Sequence, residues 1–338
     1  EGIVMPTWIV SISIISFFVL SFLVQKWRHK TAKVTGGVQF DKSVSFEHSF
    51  ELYANPFSHC SRKVRLALEE KGIDYHYRKI DLIETGSYET LSSRYLKINP
   101  SGLVPTLVHE GRPIYESDDI LGYIDSLNKS SSLIPESEAQ RNEVSKWLEF
   151  CAIPSSDPMG FLEKNVGACI PGLTMPLFMT MMEDIPLSRL VRGILYHPDK
   201  KRPLFFTASK LRGISKMLQV KPLQGMILRS RNAMSKHLNT INLHLERSEG
   251  MWVLGESFTL VDITLGVIYK RLEESQWFDY YSKHQDLSQV INHFENLKQR
   301  SSWMSLDSDY EPVERGVSRL KRQIATNESV RGILFSTN

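Results

Sequence analysis

Three consecutive residues, Ser58, His59 and Cys60, stand at the head of the amphipathic stretch SRKVRLALEEKG. A hydroxyl or thiol held where a helix begins can donate a hydrogen bond to an anion, and the orphan N–H groups of the first turn add positive potential. That combination favours a thiolate over a thiol, whose pKa is otherwise about 8.5. Ser58 is placed for this task and Cys60 is the alternative. Cys60 reads equally as a small residue packed in the first helical turn. His59 reads as a polar loop residue. Elsewhere, Ser117 is expected to cap a helix with Asp118 and Asp119 in its first turn. The pair Thr259 and Asp262 has the spacing of a capping box, which is a structural and not a catalytic device.

The elements around these residues divide the chain in two. From Phe50, short apolar runs alternate with amphipathic segments: FELYA, VRLALEEKG, DYHYRKIDL and a polar helix toward Leu96. Two short strands about a Glu110-Gly111 turn follow, then a helix to residue 127, giving the order β-α-β-α-β-β-α over 49–128. NKSSSLIP, residues 128–135, is a polar linker, and an all-helical part is expected over 137–304, beginning with Val144, Trp147, Leu148 and Cys151 on one face.

Composition narrows the function. With 338 residues, 41% hydrophobic and 23% charged, the chain has a core to bury, which excludes disorder and fibrous repeats. A net charge of +3 is too small to imply nucleic acid as the main partner. The three cysteines, Cys60, Cys151 and Cys169, show neither CxxC pairing nor zinc spacing, so a reducing compartment and no metal are expected.

The run YANPFSHCSRKVRLALEEKG, the segment NPSGLVPTL and the YES that opens the last helix of the first part occur in one order. Together they resemble the thioredoxin-like N-terminal domain of cytosolic glutathione transferases. The resemblance implies an α/β thioredoxin-like domain followed by an all-α domain, glutathione as co-substrate without a metal, a small hydrophobic electrophile as second substrate, and a homodimer. It also implies that Ser58, three residues before the Ser61-Arg62-Lys63-Val64-Arg65 stretch, stabilises the glutathione thiolate. Val104-Pro105 then resembles the family's cis-proline step that pairs with the cysteinyl part of glutathione, and Glu116 with Ser117 the pair that holds its γ-glutamyl group.

Two features lie outside that resemblance. The uncharged run from Trp8 to Val24 is followed by Lys26, Arg28, Lys30 and Lys33, with no Lys or Arg before it. A single-pass anchor over 1–30 with the folded parts facing the cytosol is expected, in a thin membrane such as the endoplasmic reticulum or the mitochondrial outer membrane. Residues 31–48 read as a tether. The second feature is a proline-rich insert at about 154–224. Its part from Asn165 to Met182 is uncharged but holds two prolines and two glycines, and is expected as a buried or interface loop. Arg189 to Lys236 carries twelve Lys or Arg and one acid, Asp199. Within it, Leu204, Ala208, Leu211, Ile214 and Leu218 are expected on one helical side, a candidate for contact with membrane lipid. The insert, the apolar anchor and WVLGESFTLVDITLGVIYKRLEE resemble the ganglioside-induced differentiation-associated protein group, although that group carries its membrane segment at the C-terminus. Residues 305–338 are expected as a polar, basic tail.

Overall fold

The apolar run at the amino end is helical in the computed structural model, which describes residues 7–127, 132–154, 157–306 and 310–336. This helix, α1 (Thr7–Arg28), is 22 residues long and would reach about 33 Å at 1.5 Å per residue. Ile15, Phe17, Val19, Leu20, Leu23 and Trp27 are exposed on it. Its far end is docked. His29 is buried and donates from Nδ1 to the Leu91 carbonyl, and the Phe22 and His29 rings lie 5.8 and 5.2 Å from that of Tyr196.

Residues 31–48, expected as a tether, are tied to the first domain. Strand β1 (Gly37–Val38) pairs antiparallel with Tyr115 and Ile114. The N–H groups of Ala32, Gln39 and Val44 donate to the carbonyls of Pro100, Pro113 and Gly111, and Lys42 Nζ donates to the Ile98 carbonyl and the Tyr115 hydroxyl. Backbone pairing at a sheet edge does not depend on side-chain pattern, so a Gly- and Thr-rich stretch conceals it. At Gly36 a Cβ would meet Asp119 Oδ2 at 2.0 Å, so a larger residue there would have to displace that exposed side chain.

The sheet that β1 joins comprises β2 (Phe50–Ala54), β3 (His76–Lys79), β4 (Thr106–His109) and β5 (Arg112–Tyr115), in the order β1-β5-β4-β2-β3. Only β2 and β3 run parallel among these pairs. The helices of this domain are α2 (His59–Glu70), α3 (Ser93–Ile98) and α4 (Ser117–Leu127). Leu52, Val64, Leu68, Leu107, Ile114 and Ile120 meet in its core. This is the thioredoxin-like order expected from the sequence. Of the linker 128–135, residues 128–131 lie outside the described residues.

Glu51 on β2 is buried and accepts from the Glu47 N–H (2.9 Å), the Tyr53 hydroxyl (2.8 Å) and Arg78 (3.0 Å). Burial pushes its carboxyl up, but the hydrogen bonds from Arg78, the Glu47 N–H and Tyr53 outweigh that and hold it at about 2. A carboxyl depressed by folding stabilises the protein above its unfolded pKa of about 4.5, and that stability is lost as pH falls toward 2. Glu51→Gln should therefore flatten the pH dependence of urea unfolding in this window, and an unchanged slope would show that Glu51 does not drive it.

The second part is helical: α5 (Glu138–Cys151), α6 (Ile170–Met181), α7 (Leu187–Tyr196), α8 (Lys201–Leu218), α9 (Lys221–Arg247), α10 (Leu260–Glu274), α11 (Trp277–His284), α12 (Ser288–Lys298), α13 (Glu311–Thr326) and α14 (Glu328–Phe335). The segment expected as a loop is largely α6, a core helix despite Pro176 inside it. The span Val166–Asp184 is long and apolar enough to cross a bilayer, yet 78% of it is buried inside the protein.

The expected stripe on α8 is divided. Gly213 breaks the helix with φ 72° and ψ 165°, so Ile214 and Leu218 turn into the core while Leu204 and Leu211 stay exposed. The expected tail also differs, because α13 and α14 bury Val313, Leu320, Val330 and Leu334. Arg315 and Arg319 of α13 pair with Asp184 at 2.8 and 2.5 Å. Two of its basic residues are thus engaged by the insert. Residues 307–309 and 337–338 of this tail are outside the described residues.

Candidate active site

Strand β2 delivers the chain into a tight loop before α2, and a wholly buried Asn55 fixes that loop. Its Nδ2 donates to the Ile80 carbonyl (2.8 Å) and Thr85 Oγ1 (3.0 Å), and its Oδ1 accepts from the Phe57 N–H (2.9 Å). The Ser58 N–H donates to the Asn55 carbonyl at 3.1 Å. Ser58 is thereby set at the N-cap of α2 with φ −64° and ψ 125°, and its Oγ accepts from the Ser61 N–H at 3.3 Å. The hydroxyl is half-buried at the positive end of a 12-residue helix. It retains its proton for an incoming anion.

The first turn of α2 lies in a cationic surrounding. His59 is the first helical residue and not a loop residue. Its Nδ1 is buried without a hydrogen-bond partner among the described residues. Burial holds its imidazole well below the usual value, and the charges of Lys63, Arg271 and Arg62 push the same way. It is therefore neutral near pH 7. Arg62 reaches Glu274 of α10 through two bonds, at 3.0 and 2.5 Å, and donates from Nε to the Pro56 carbonyl. Arg271 stacks 3.6 Å over the Phe57 ring and donates to the Phe57 carbonyl. The second domain thus grips the loop that positions Ser58.

Cys60 is a free, half-buried cysteine in this turn. Burial pushes the thiols of Cys151 and Cys169 up to about 12, which removes both from thiolate chemistry at neutral pH. Lys63 lies one turn after Cys60, within electrostatic reach of it, and donates to Asp118 Oδ1 at 2.7 Å. That ion pair joins the start of α2 to the start of α4.

Strand register brings the remaining predicted residues to the same end of the sheet. Tyr53 pairs with Thr106 and Leu107 with Ile114. Continued outward, this register sets Val104-Pro105 beside the loop that follows β2, level with Glu116 and Ser117. The Val104-Pro105 peptide is cis. The preceding turn is held by Asn99, whose Nδ2 donates to the Leu103 carbonyl (3.1 Å) and Thr106 Oγ1 (2.9 Å). Among the described residues, neither backbone group of Val104 enters a hydrogen bond. Glu116 is exposed with φ 62°, and its carbonyl accepts from the Ile120 N–H, so Glu116 occupies the cap position and Ser117 the first helical one. Thr259 and Asp262 stand apart at the start of α10, where they form the expected capping box.

Asn55, Asn99 and the Arg62–Glu274–Arg271 cluster escaped the sequence reading. The two Asn-Pro pairs, Asn55-Pro56 and Asn99-Pro100, carry the signal for the first two, since Asn side chains bond their own following backbone in turns. Nothing local pairs Arg62 with a residue 212 positions away. Further out, a cleft of about 490 Å³ is lined by Arg62, Glu274, Leu306, Tyr310, Val313 and Val317 among others. Ser58 does not line it. No group of three or more His, Cys, Asp or Glu suited to a metal occurs among the described residues.

Residues 57–127 match the family model "Glutathione S-transferase, N-terminal domain", and residues 229–306 match "Glutathione S-transferase, C-terminal domain". Similar curated proteins include Glutathione S-transferase 1 of Dianthus caryophyllus, 35% identical over 99 residues, which are 29% of this chain and 43% of that protein. A probable maleylacetoacetate isomerase of Caenorhabditis elegans is 37% identical over 90 residues, 27% of this chain and 40% of that protein. The chain thus spans less than half the length of either. Glutathione S-transferase TCHQD of Arabidopsis thaliana is similar over a longer stretch, 26% identical across 225 residues, 66% of this chain and 76% of that protein. Among solved structures, the beta-etherase LigF of Sphingobium superposes with a TM-score of 0.60 at 18% identity, covering 77% of this chain and 98% of that one. That likeness is one of fold.

Proposed function

We propose, for a chain that belongs to the glutathione S-transferase superfamily, that it binds glutathione and transfers its thiolate to a small apolar electrophile, with Ser58 stabilising the thiolate. The observation that carries this is the Ser58 hydroxyl at the N-cap of α2, at the sheet end where Val104-Pro105 and Glu116-Ser117 also lie. The backbone of Val104 offers a strand-like pair to the cysteinyl part of glutathione, and the start of α4 offers N–H groups to the γ-glutamyl carboxylate. Ser58 donates to the sulfur, the α2 terminus adds positive potential, and His59 stays neutral and takes no proton from the thiol. The thiolate attacks the electrophilic carbon, forming the C–S bond as the leaving group departs with its electron pair.

The expected homodimer and the membrane anchor belong to this proposal. Exposed apolar side chains on α1 and the four basic residues Lys26, Arg28, Lys30 and Lys33 after its apolar run support a single crossing with the domains in the cytosol, in the endoplasmic reticulum or the mitochondrial outer membrane. Membership of the ganglioside-induced differentiation-associated group is part of the same proposal and is supported by the insert, the WVLGESFTLVDITLGVIYKRLEE run and the anchor. One observation favours a second, non-catalytic reading as a glutathione-binding or membrane-shaping protein. The insert packs on the loop that precedes α2, with Phe178 edge-on to Phe57 at 5.8 Å, and on the turn after β3, where Arg202 pairs with Glu84.

The test uses the full chain in detergent micelles, with glutathione binding followed by calorimetry and conjugation of an activated aryl halide by absorbance. Maleylacetoacetate is tried beside it, because relatives carry that isomerase name. Binding with turnover supports the transferase reading. Binding without turnover of either substrate moves the protein to the second reading, and absence of binding overturns the transferase reading and leaves only the membrane-shaping one.

A further inference from the structure

We propose that α7 and the first half of α8 form a face that lies on an anionic bilayer beside α1. Leu187, Val191 and Leu195 form one row along α7 at spacings of four, and are 46%, 43% and 42% exposed. Leu204 and Leu211, seven residues apart on α8, are 53% and 68% exposed. The opposite side of α7 is already occupied. Leu190 is buried there, and Gly193 passes so close to Tyr88 that a Cβ would meet its hydroxyl at 2.2 Å. The helix is fixed in rotation, so its leucine row cannot turn inward.

What covers that row is argued from charge and from continuity. Arg189, Arg192, Lys201 and Arg212 are exposed on the same two helices or at their start. The only acid in the sequence from Arg189 to Lys236, Asp199, is engaged locally through the Lys201 N–H. Aliphatic side chains on helices that also expose cations suit the boundary between acyl chains and anionic headgroups. Continuity comes from Tyr196 at the end of α7, which touches Phe22 and His29 at the end of α1. A bilayer that takes up α1 has its surface next to this face. The inference therefore rests on α1 being a membrane helix.

The full chain is reconstituted into neutral phosphatidylcholine liposomes, or into the same lipid with phosphatidylserine, and deuterium uptake is followed across residues 187–212. Carbonate extraction is run in parallel. The expected result is carbonate resistance in both lipids, with uptake over 187–212 slowed about tenfold in anionic liposomes alone, as engagement of one or two basic residues gives. High salt should relax the protection. The triple variant Leu187→Ser, Val191→Ser, Leu195→Ser should lose it while keeping carbonate resistance and glutathione affinity. Carbonate-extractable protein would overturn the α1 reading and this inference with it. Carbonate-resistant protein with equal uptake in both lipids would overturn this inference alone. Protection that persists in detergent at doubled mass would assign the face to a second copy and overturn it equally.

Discussion

Replacing Ser58 by Ala should lower kcat/KM for conjugation by roughly 10- to 100-fold and raise the pKa of the bound glutathione thiol. A hydrogen bond to a charged group is worth about 1.5–3 kcal/mol, and each 1.4 kcal/mol or so is tenfold in rate. The thiol pKa is read from thiolate absorbance of the bound complex across pH. Because Ser58 Oγ also accepts from the Ser61 N–H, loss of the cap should cost about 1 kcal/mol of stability as well. That loss would not move the thiol pKa, so the two effects separate. Ser58→Thr keeps the hydroxyl and should recover most of both. Cys60→Ala should remain near full activity. Should Ser58→Ala stay active while Cys60→Ala is dead, thiolate chemistry belongs to Cys60 and the reaction becomes thiol transfer.

The largest stability effect is expected at Asp262. Its side chain is wholly buried and accepts from the Thr259 N–H (2.8 Å), the Val253 N–H (2.9 Å), Thr259 Oγ1 (3.1 Å) and His293 Nε2 (3.0 Å). One carboxylate thus closes the start of α10, holds the preceding turn and fixes a residue of α12. Asp262→Ala leaves four polar groups buried without their acceptor and should cost about 3–5 kcal/mol, lowering Tm by about 10 °C. Thr259→Ala removes the smaller half of the box and should cost about 1 kcal/mol, which keeps the comparison readable if Asp262→Ala does not fold. Glutathione affinity of folded Thr259→Ala should match that of the parent. A Tm for Asp262→Ala within about 2 °C of the parent would show that the box contributes less than the usual cap.

What could be read in the chain depended on how far each interaction reaches along it. Ser58 and the Thr259/Asp262 box act over about three residues, and their residue types announce the geometry. The order of strands and helices in the first domain was equally legible, because its apolar runs switch between periods of two and 3.6. The segment 31–48 was misread because its partners lie some 60 to 80 residues away and are backbone groups. The apolar stripe on α8 failed for another reason: a helical projection assumes an unbroken helix, and Gly213 departs from it. The polar tail concealed α13 and α14 in part because two of its arginines, Arg315 and Arg319, are matched by Asp184, an acid within the insert.

The short strand β1 has a consequence for how the protein can be cut. Strand β5 would otherwise present the row Arg112–Tyr115 as an open sheet edge, a template on which foreign strands assemble. A fragment trimmed to the domain boundary near residue 49 would therefore be sticky, gathering into aggregates that could pass for a natural oligomer. A cut among Lys30, Thr31, Ala32 and Lys33 would leave the shield in place. A trypsin-like protease acting at Lys30 or Lys33 would thus free the folded part from its helix with the edge still guarded.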